Sequence, residues 1–304
     1  MENINRQSFH SSFEFQYTYQ KIPARIVSNE GVFVLNKQRR HKTKFGFVRF
    51  YGDRFAVKFI RKKFIGNAMY EIDENILLSE SLQNLQESKC NQYIMELLYV
   101  ETNSQYIMLV FNALAQDLIS FINSRPGFSF ETAIRLIHDV SFALLCLWEM
   151  NFVYGDVKPD NILVNPDNAG EKSRVISNQF VLTDFDTLKI KNNNGLTIED
   201  GYTTGFRSLN RIKNYTISIQ DDVWSLSIVL FIFIVRKQSM FQVEEDFTKD
   251  TQNKAVQEIK ESAKQMNWTN RQITKIVKLF SVMNEYNESK RINIEKLVKM
   301  TQMK

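Results

Sequence analysis

The hydrophobic pattern of this chain changes period part-way along, and that change restricts the folds open to it. Phe13, Phe15, Tyr17 and Tyr19 alternate with polar residues, the two-residue period of a half-buried strand. Gly31 to Leu35, Phe45 to Phe50 and Phe55 to Ile60 are further β-rich runs, the last entered through the tight turn Tyr51-Gly52-Asp53-Arg54. A helical stretch follows from about Asn67 to Leu85, and strands are expected again near Tyr93–Val100 and Tyr106–Phe111. Beyond Asp117 helix prevails. Ser129 or the residues that follow it can cap a helix that runs to about Met150, with Ile134, Ile137, Val140, Ala143, Leu144 and Leu147 at helical spacing. Short strands around Ile162–Val164 and Phe180–Thr183 interrupt it, and from Asp221 the chain is again mostly helical. The implied architecture is α+β: a small β-rich lobe, then a larger helical one, joined near Asn112–Leu114.

A length of 304 residues suits one bilobal domain or two modest ones. Hydrophobic content of 43% with 24% charged residues excludes a wholly disordered chain. With 10 Gly and 4 Pro, collagen-like, linker-like and Gly-rich solenoid folds are excluded too. The longest apolar run, Val223 to Val235, covers 13 residues, where a membrane span needs about 20. It is read as a buried helix, so no membrane span is expected. Cys90 and Cys146 are too few for a disulfide framework, and the N-terminus has no apolar leader. A soluble intracellular protein, cytoplasmic or nuclear, is therefore expected.

Charge is unevenly placed. Residues 21–63 carry 13 Lys/Arg against Glu30 and Asp53, a local charge of +11 in a chain whose net charge is +5. The densest part, residues 37–44, is either a solvated hairpin tip or a surface for an anionic partner such as a polyphosphate or lipid. No zinc-finger spacing or ribonucleoprotein motif accompanies it, and nucleic acid is not expected as a partner.

Chemistry concentrates in Tyr154-Gly155-Asp156-Val157-Lys158-Pro159-Asp160-Asn161-Ile162-Leu163-Val164. A carboxylate here can accept the proton of an attacking hydroxyl, a Lys two positions on can neutralise a transferring phosphoryl group, and an Asn five positions on can ligate magnesium. Twenty-eight residues after Asp156, Asp184 ends an apolar strand within Thr183-Asp184-Phe185-Asp186 and could hold that magnesium directly.

These segments resemble the protein kinase superfamily, and two more strings join them. Phe55-Ala56-Val57-Lys58 is similar to the family's third-strand motif, and Asp222-Val223-Trp224-Ser225-Leu226 to the start of its central buried helix. The resemblance covers roughly residues 25–298 and implies a bilobal protein-kinase-like fold. Its antiparallel N-lobe with one helix would span about 25–111, the hinge 112–117 and the C-lobe 118–304. Residues 1–24 are read as an extension with room for an extra strand.

By that resemblance Lys58 grips the phosphates of ATP, Asp156 is the catalytic carboxylate, Lys158 contacts the γ-phosphate, and Asn161 with Asp184 ligates magnesium. Glu74, sixteen residues after Lys58 and followed by Leu77 and Leu78, is preferred over Glu71 as the partner of Lys58. Phe111 stands at the gatekeeper position, and Asn112 and Leu114 meet adenine through backbone groups. Val48, Ala56 and Leu163 would flank the ring, and Asp117 would reach the ribose or cap a helix. Leu78, Leu97, Tyr154 and Phe185 match the family's hydrophobic column, anchored by Asp222. Lys158 and Thr203 favour Ser/Thr acceptors in a protein substrate.

The chain departs from the family pattern at four places. Lys37 to Lys44 and a lone Gly46 stand where the Gly-rich phosphate loop belongs, which predicts weaker ATP affinity. Tyr154-Gly155-Asp156 replaces His-Arg-Asp, Asp186 replaces a Gly, and Ser208-Leu209-Asn210 replaces Ala-Pro-Glu. The last change is expected to leave Arg291 facing Asn210 rather than a carboxylate. The leading reading is an ATP- and magnesium-dependent Ser/Thr protein kinase. A pseudokinase scaffold or allosteric partner is the alternative, and a small-molecule phosphotransferase the further one.

Overall fold

Alternating aromatic and aliphatic residues build a sheet in the first half of the chain, and capped amphipathic segments build helices in the second. The computed structural model describes residues 6–8, 12–17, 22–43, 45–64, 76, 80, 89–114, 116–166, 178–185, 188–192, 197–198, 205–237, 240 and 248–302. It divides into two units, residues 1–91 with 95–114, and residues 92–94 with 115–304.

The first unit contains β1 (Arg6–Ser8), β2 (Phe13–Gln16), β3 (Arg25–Ser28), β4 (Gly31–Lys42), β5 (Gly46–Tyr51), β6 (Phe55–Arg61), β7 (Leu97–Thr102) and β8 (Tyr106–Asn112). They form one sheet in the order β1-β7-β8-β6-β5-β4-β3-β2. Residues 1–24 thus contribute strands at both edges. One face buries Phe13, Ile26, Phe47, Phe55, Val57, Phe59, Tyr99, Met108 and Val110, and each such side chain is worth about 1.5–3 kcal/mol of burial. The other face packs Ile60, Leu97, Val100, Ile107 and Leu109, with Phe111 against them. Gly46 permits the close approach of β5 to β6, because a Cβ there would lie 1.7 Å from the Phe59 carbonyl oxygen.

The basic stretch differs from its sequence reading. Lys37 to Lys42 continue β4 as strand, with a register shift between Leu35 and Arg40. Arg39 lies 3.7 Å from the Phe50 ring centroid and Arg40 4.8 Å from that of Phe47. Aromatic faces on the neighbouring strand accept these guanidinium groups, so the strand persists through a run of cations. The helix expected over residues 67–85 lies almost wholly outside the described residues.

The second unit opens with β9 (Gln116–Asp117) and α1 (Leu118–Asn123), followed by α2 (Phe130–Glu149). Ser129 caps α2 by accepting the Thr132 amide at 3.1 Å, as its sequence position suggests. Next come β10 (Phe152–Val153), β11 (Ile162–Pro166), β12 (Asn178–Leu182), β13 (Lys189–Ile190) and β14 (Thr197–Ile198). The remaining elements are α3 (Leu209–Asn214), β15 (Thr216–Ile217), α4 (Ile219–Val235), α5 (Lys249–Gln265), α6 (Asn270–Met283) and α7 (Ile294–Thr301). Helix α4 is apolar on every face and is buried from Asp221 to Ile234, packing against α2, α5 and α6. Among the described residues no helix is long and apolar enough to cross a membrane. Neither Cys90 nor Cys146 carries a free thiol, contrary to the thiols a reducing compartment leads one to expect.

Candidate active site

Helix α2 and strand β10 deliver the chain to the loop that begins at Tyr154, and β11 takes it away. Between them Pro159–Asn161 forms a single 3-10 turn, so residues 156, 158 and 161 are gathered within one tight segment. Asp156 Oδ2 accepts Lys158 Nζ at 2.6 Å and Asn161 Nδ2 at 2.9 Å. Asn161 Nδ2 also donates to the Asp156 carbonyl at 3.1 Å. The Asp156 and Lys158 side chains keep 12% and 20% of their surface exposed. The carboxylate is therefore held by two donors and still reachable.

Three groups hold the loop backbone from below. Asp222, at the start of α4 and fully buried, accepts the amides of Tyr154 at 3.2 Å and Gly155 at 2.8 Å. Burial pushes its carboxyl up to about 7, against the two amides and the Arg211 charge that pull it down. Arg211 of α3, 2% exposed, donates Nη1 to the Gly155 carbonyl at 2.7 Å. Gly155 has φ +80°, a left-handed conformation that a side chain would strain. Tyr154 is fully buried, and its hydroxyl donates to the carbonyls of Thr183 at 2.5 Å and Asp184 at 3.2 Å. Burial raises its phenol well above the usual range, so it remains a donor.

The Asp184 segment is fixed to the same loop. The Thr183 amide donates to the Asn161 carbonyl at 3.0 Å, and the buried Phe185 ring meets that of Tyr154 edge-on at 5.8 Å. Asp184 itself sits at φ +60°. On the other side of this unit, Asp139 of α2 accepts the Phe180 amide at 3.1 Å and so anchors β12, which leads into Asp184. Asn161 Nδ2 is committed to Asp156, which leaves its Oδ1 as the acceptor end of the amide. An amide oxygen and a carboxylate are hard-oxygen donors of the chemical kind that magnesium takes. Among the described residues no group of three or more His, Cys, Asp or Glu could hold a metal by itself.

Leu163 and Asp117 are cross-strand partners in β11 and β9. Leu163 is half-buried while Ile162 and Val164 beside it are buried, so it occupies the opposite face of the strand. Asp117 caps α1, accepting the Ser120 amide at 2.7 Å and its hydroxyl at 2.9 Å. Both its oxygens are engaged there, the helix-cap role that its sequence position also allowed.

The first unit holds the other sequence-identified positions. Val48 is the cross-strand partner of Lys58, and Ala56 lies two residues from Lys58 on β6, so all three share one sheet face. Asn112 ends β8 opposite Phe55. Leu114 follows it, and its carbonyl accepts Arg39 Nη2 at 3.2 Å. Glu74, Glu71, Leu77, Leu78, Asp186 and Thr203 lie outside the described residues.

The family model for the protein kinase domain matches residues 45–303. This chain belongs to the protein kinase family. The kinase is 25% identical over 158 residues to ribosomal protein S6 kinase alpha-6 of Mus musculus, covering 51% of this chain and 20% of that protein. It is 26% identical over 223 residues to calcium-dependent protein kinase 4 of Plasmodium berghei, covering 70% of this chain and 40% of that protein. It is also 26% identical over 186 residues to the serine/threonine-protein kinase SBK1 of Danio rerio, covering 60% and 45%. The chain therefore spans a fifth to under half of the length of these curated relatives. Its fold class is that of the family, an antiparallel sheet unit followed by a helical unit.

One expectation about this kinase is corrected by α3 and its surroundings. Asn210 does not face Arg291. Its Nδ2 donates to Glu288 Oε2 at 2.5 Å, and Ser218 Oγ donates to Glu288 Oε1 at 2.7 Å. Arg291 instead donates to the carbonyls of Glu285 at 3.0 Å and Gln220 at 2.8 Å, and lies over the Trp224 ring. An amide at position 210 is a donor as well as an acceptor, so it takes a carboxylate and leaves the cation to backbone oxygens. Ser208 completes the cluster by capping α3 and donating to the buried Asp221. Sequence reasoning missed Arg211 and Glu288, because each acts on a partner more than fifty residues away.

Proposed function

We propose that this kinase transfers the γ-phosphate of ATP, with magnesium, to serine or threonine hydroxyls of protein substrates. The observation that carries the reading is Asp156 Oδ2 held at once by Lys158 Nζ and Asn161 Nδ2. A carboxylate oriented in this way accepts the proton of an attacking hydroxyl. As the hydroxyl oxygen bonds to phosphorus, the bond to the bridging oxygen of ADP breaks and the proton passes to Asp156. Lys158 balances the charge of the moving phosphoryl group, and Asp222, Arg211 and Tyr154 keep the loop from shifting. Asn161 Oδ1 and Asp184 would hold magnesium, which when bound neutralises phosphate oxygens. Lys58, partnered by Glu74, would hold the remaining phosphates. Val48, Ala56 and Leu163 would flank adenine, and the Asn112 and Leu114 backbones would hydrogen-bond it. Lys158, together with relatives whose names include Ser/Thr kinases, supports a Ser/Thr acceptor.

Magnesium-ATP is expected to raise the thermal midpoint of the wild-type chain by mass action, and Lys58→Met is expected to abolish the rise. One observation favours a scaffold without turnover: β4 runs as basic strand where close phosphate approach needs glycines. An unchanged wild-type midpoint at saturating magnesium-ATP supports that second reading.

A further inference from the structure

Glu288 belongs to the short turn between α6 and α7, yet its carboxylate joins two helices from elsewhere in the chain. Oε2 accepts Asn210 Nδ2 of α3 at 2.5 Å, and Oε1 accepts the hydroxyl of Ser218, which caps α4, at 2.7 Å. The direction of each bond is fixed by chemistry. A carboxylate only accepts, and Asn210 Oδ1 is already taken by Asn214 Nδ2 at 2.6 Å. The Ser218 hydroxyl also lies 2.9 Å from Asp221 Oδ2, but that oxygen already receives the Ser218 amide at 2.8 Å. Its single proton therefore serves Glu288. The root of the Glu288 side chain is fixed too: Asn287 caps the turn, and Arg291 ties it to α4 through the Gln220 carbonyl at 2.8 Å.

Gly155, the residue before Asp156, is held from two sides. Its amide goes to Asp222 of α4 at 2.8 Å, and its carbonyl takes Arg211 of α3 at 2.7 Å. Both bonds survive only while α3 and the start of α4 keep one separation. Helix α3 has six residues, and Arg211 is its one buried side chain. A helix so short has little stability of its own, and its apolar residues Leu209 and Ile212 are only half-buried. Polar bridges fix it to α4 instead. Ser208 donates to the buried Asp221, and Asn210 reaches Ser218 through Glu288.

We propose that Glu288 is a positioning residue for the catalytic loop. By bridging Asn210 and Ser218 it sets α3 against α4, so that Arg211 and Asp222 hold Gly155 from both sides and Asp156 keeps its orientation. The effect on turnover rests on the reading of Asp156 as proton acceptor. The effect on the loop itself does not.

Reversing donor and acceptor tests the bridge. Asn210→Asp sets two carboxylates against each other, and adding Glu288→Gln supplies an amide donor to the new carboxylate and an acceptor to Ser218. The full chain is followed by amide hydrogen exchange over residues 152–164 and by steady-state transfer to a Ser/Thr peptide. Asn210→Asp and Glu288→Ala are each expected to speed exchange over 152–164 about tenfold, with α2 unchanged. Each is expected to lower kcat by a similar factor at constant KM for ATP. The combined Asn210→Asp, Glu288→Gln variant is expected to recover both. Should Asn210→Asp not fold, Asn210→Ala removes the donor without adding charge and is expected to show the same faster exchange. Unchanged exchange over 152–164 in the single variants overturns the proposal. So does a combined variant that fails to recover, or an equal rise throughout α2. A wild type that transfers nothing fails the kinase reading alone, because exchange still reports on the loop.

Discussion

Asp222 accepts the backbone amide of Gly155 at 2.8 Å across 67 residues of chain, with its other oxygen on the amide of Tyr154. One buried carboxylate thereby fixes the two residues that precede Asp156. Holding it there has a cost, since desolvation pushes the carboxyl up to about 7. The folded chain therefore binds this proton more tightly than the unfolded chain does. Stability from this group is greatest below the ordinary carboxylate range and falls as pH rises towards 7. Chemical denaturation from about pH 4 to 8 is expected to show a contribution of up to about 1.4 kcal/mol per pH unit, and Asp222→Asn is expected to flatten it. An identical slope in the variant would refute the assignment.

Restoring the family's usual arginine at position 155 is expected to do harm. Gly155 sits at φ +80°, and a left-handed conformation costs a non-glycine residue about 1–2 kcal/mol. The carbonyl of residue 155 is also already bonded to Arg211. Gly155→Arg is expected to lower the thermal midpoint and slow phosphotransfer, whereas a gain in either would contradict this geometry.

Arg211 supplies from α3 a cation beneath the catalytic loop. Arg211→Lys keeps the charge but loses the planar fork that reaches Gly155. A charged hydrogen bond of this kind is worth about 1.5–3 kcal/mol, so unfolding free energy is expected to drop by that order. Because the bond ends on the loop, kcat is expected to fall more than KM rises. A stability loss with unchanged kcat would reduce Arg211 to a packing residue.

Much of this site was legible in the sequence because its parts are local. Asp156, Lys158 and Asn161 lie within six residues, and a 3-10 turn brings them together. The apolar spacing of α2 was equally plain, and its cap was narrowed to Ser129 or the residues just after it. What could not be read is non-local or depends on contact. Glu288 stands 78 residues from Asn210, and no spacing rule connects an Asn to a distant carboxylate. The length of β4 was hidden because its last half has no alternating apolar face. It is held by guanidinium groups over Phe47 and Phe50 on the adjoining strand, a stabilisation that a hydrophobic period does not register.

The account rests on Asp156 as the proton acceptor in phosphotransfer. Its most direct measurement is transfer of labelled γ-phosphate from magnesium-ATP to a Ser/Thr peptide library by wild type and by Asp156→Asn. Asn is close to isosteric and keeps hydrogen-bonding capacity in the loop, so the fold is expected to survive with an unchanged thermal midpoint. Wild type is expected to label the library, and the variant to lose about 100-fold to 10,000-fold in kcat. Labelling by Asp156→Asn at the wild-type rate would contradict the account, as would a folded wild type that labels nothing.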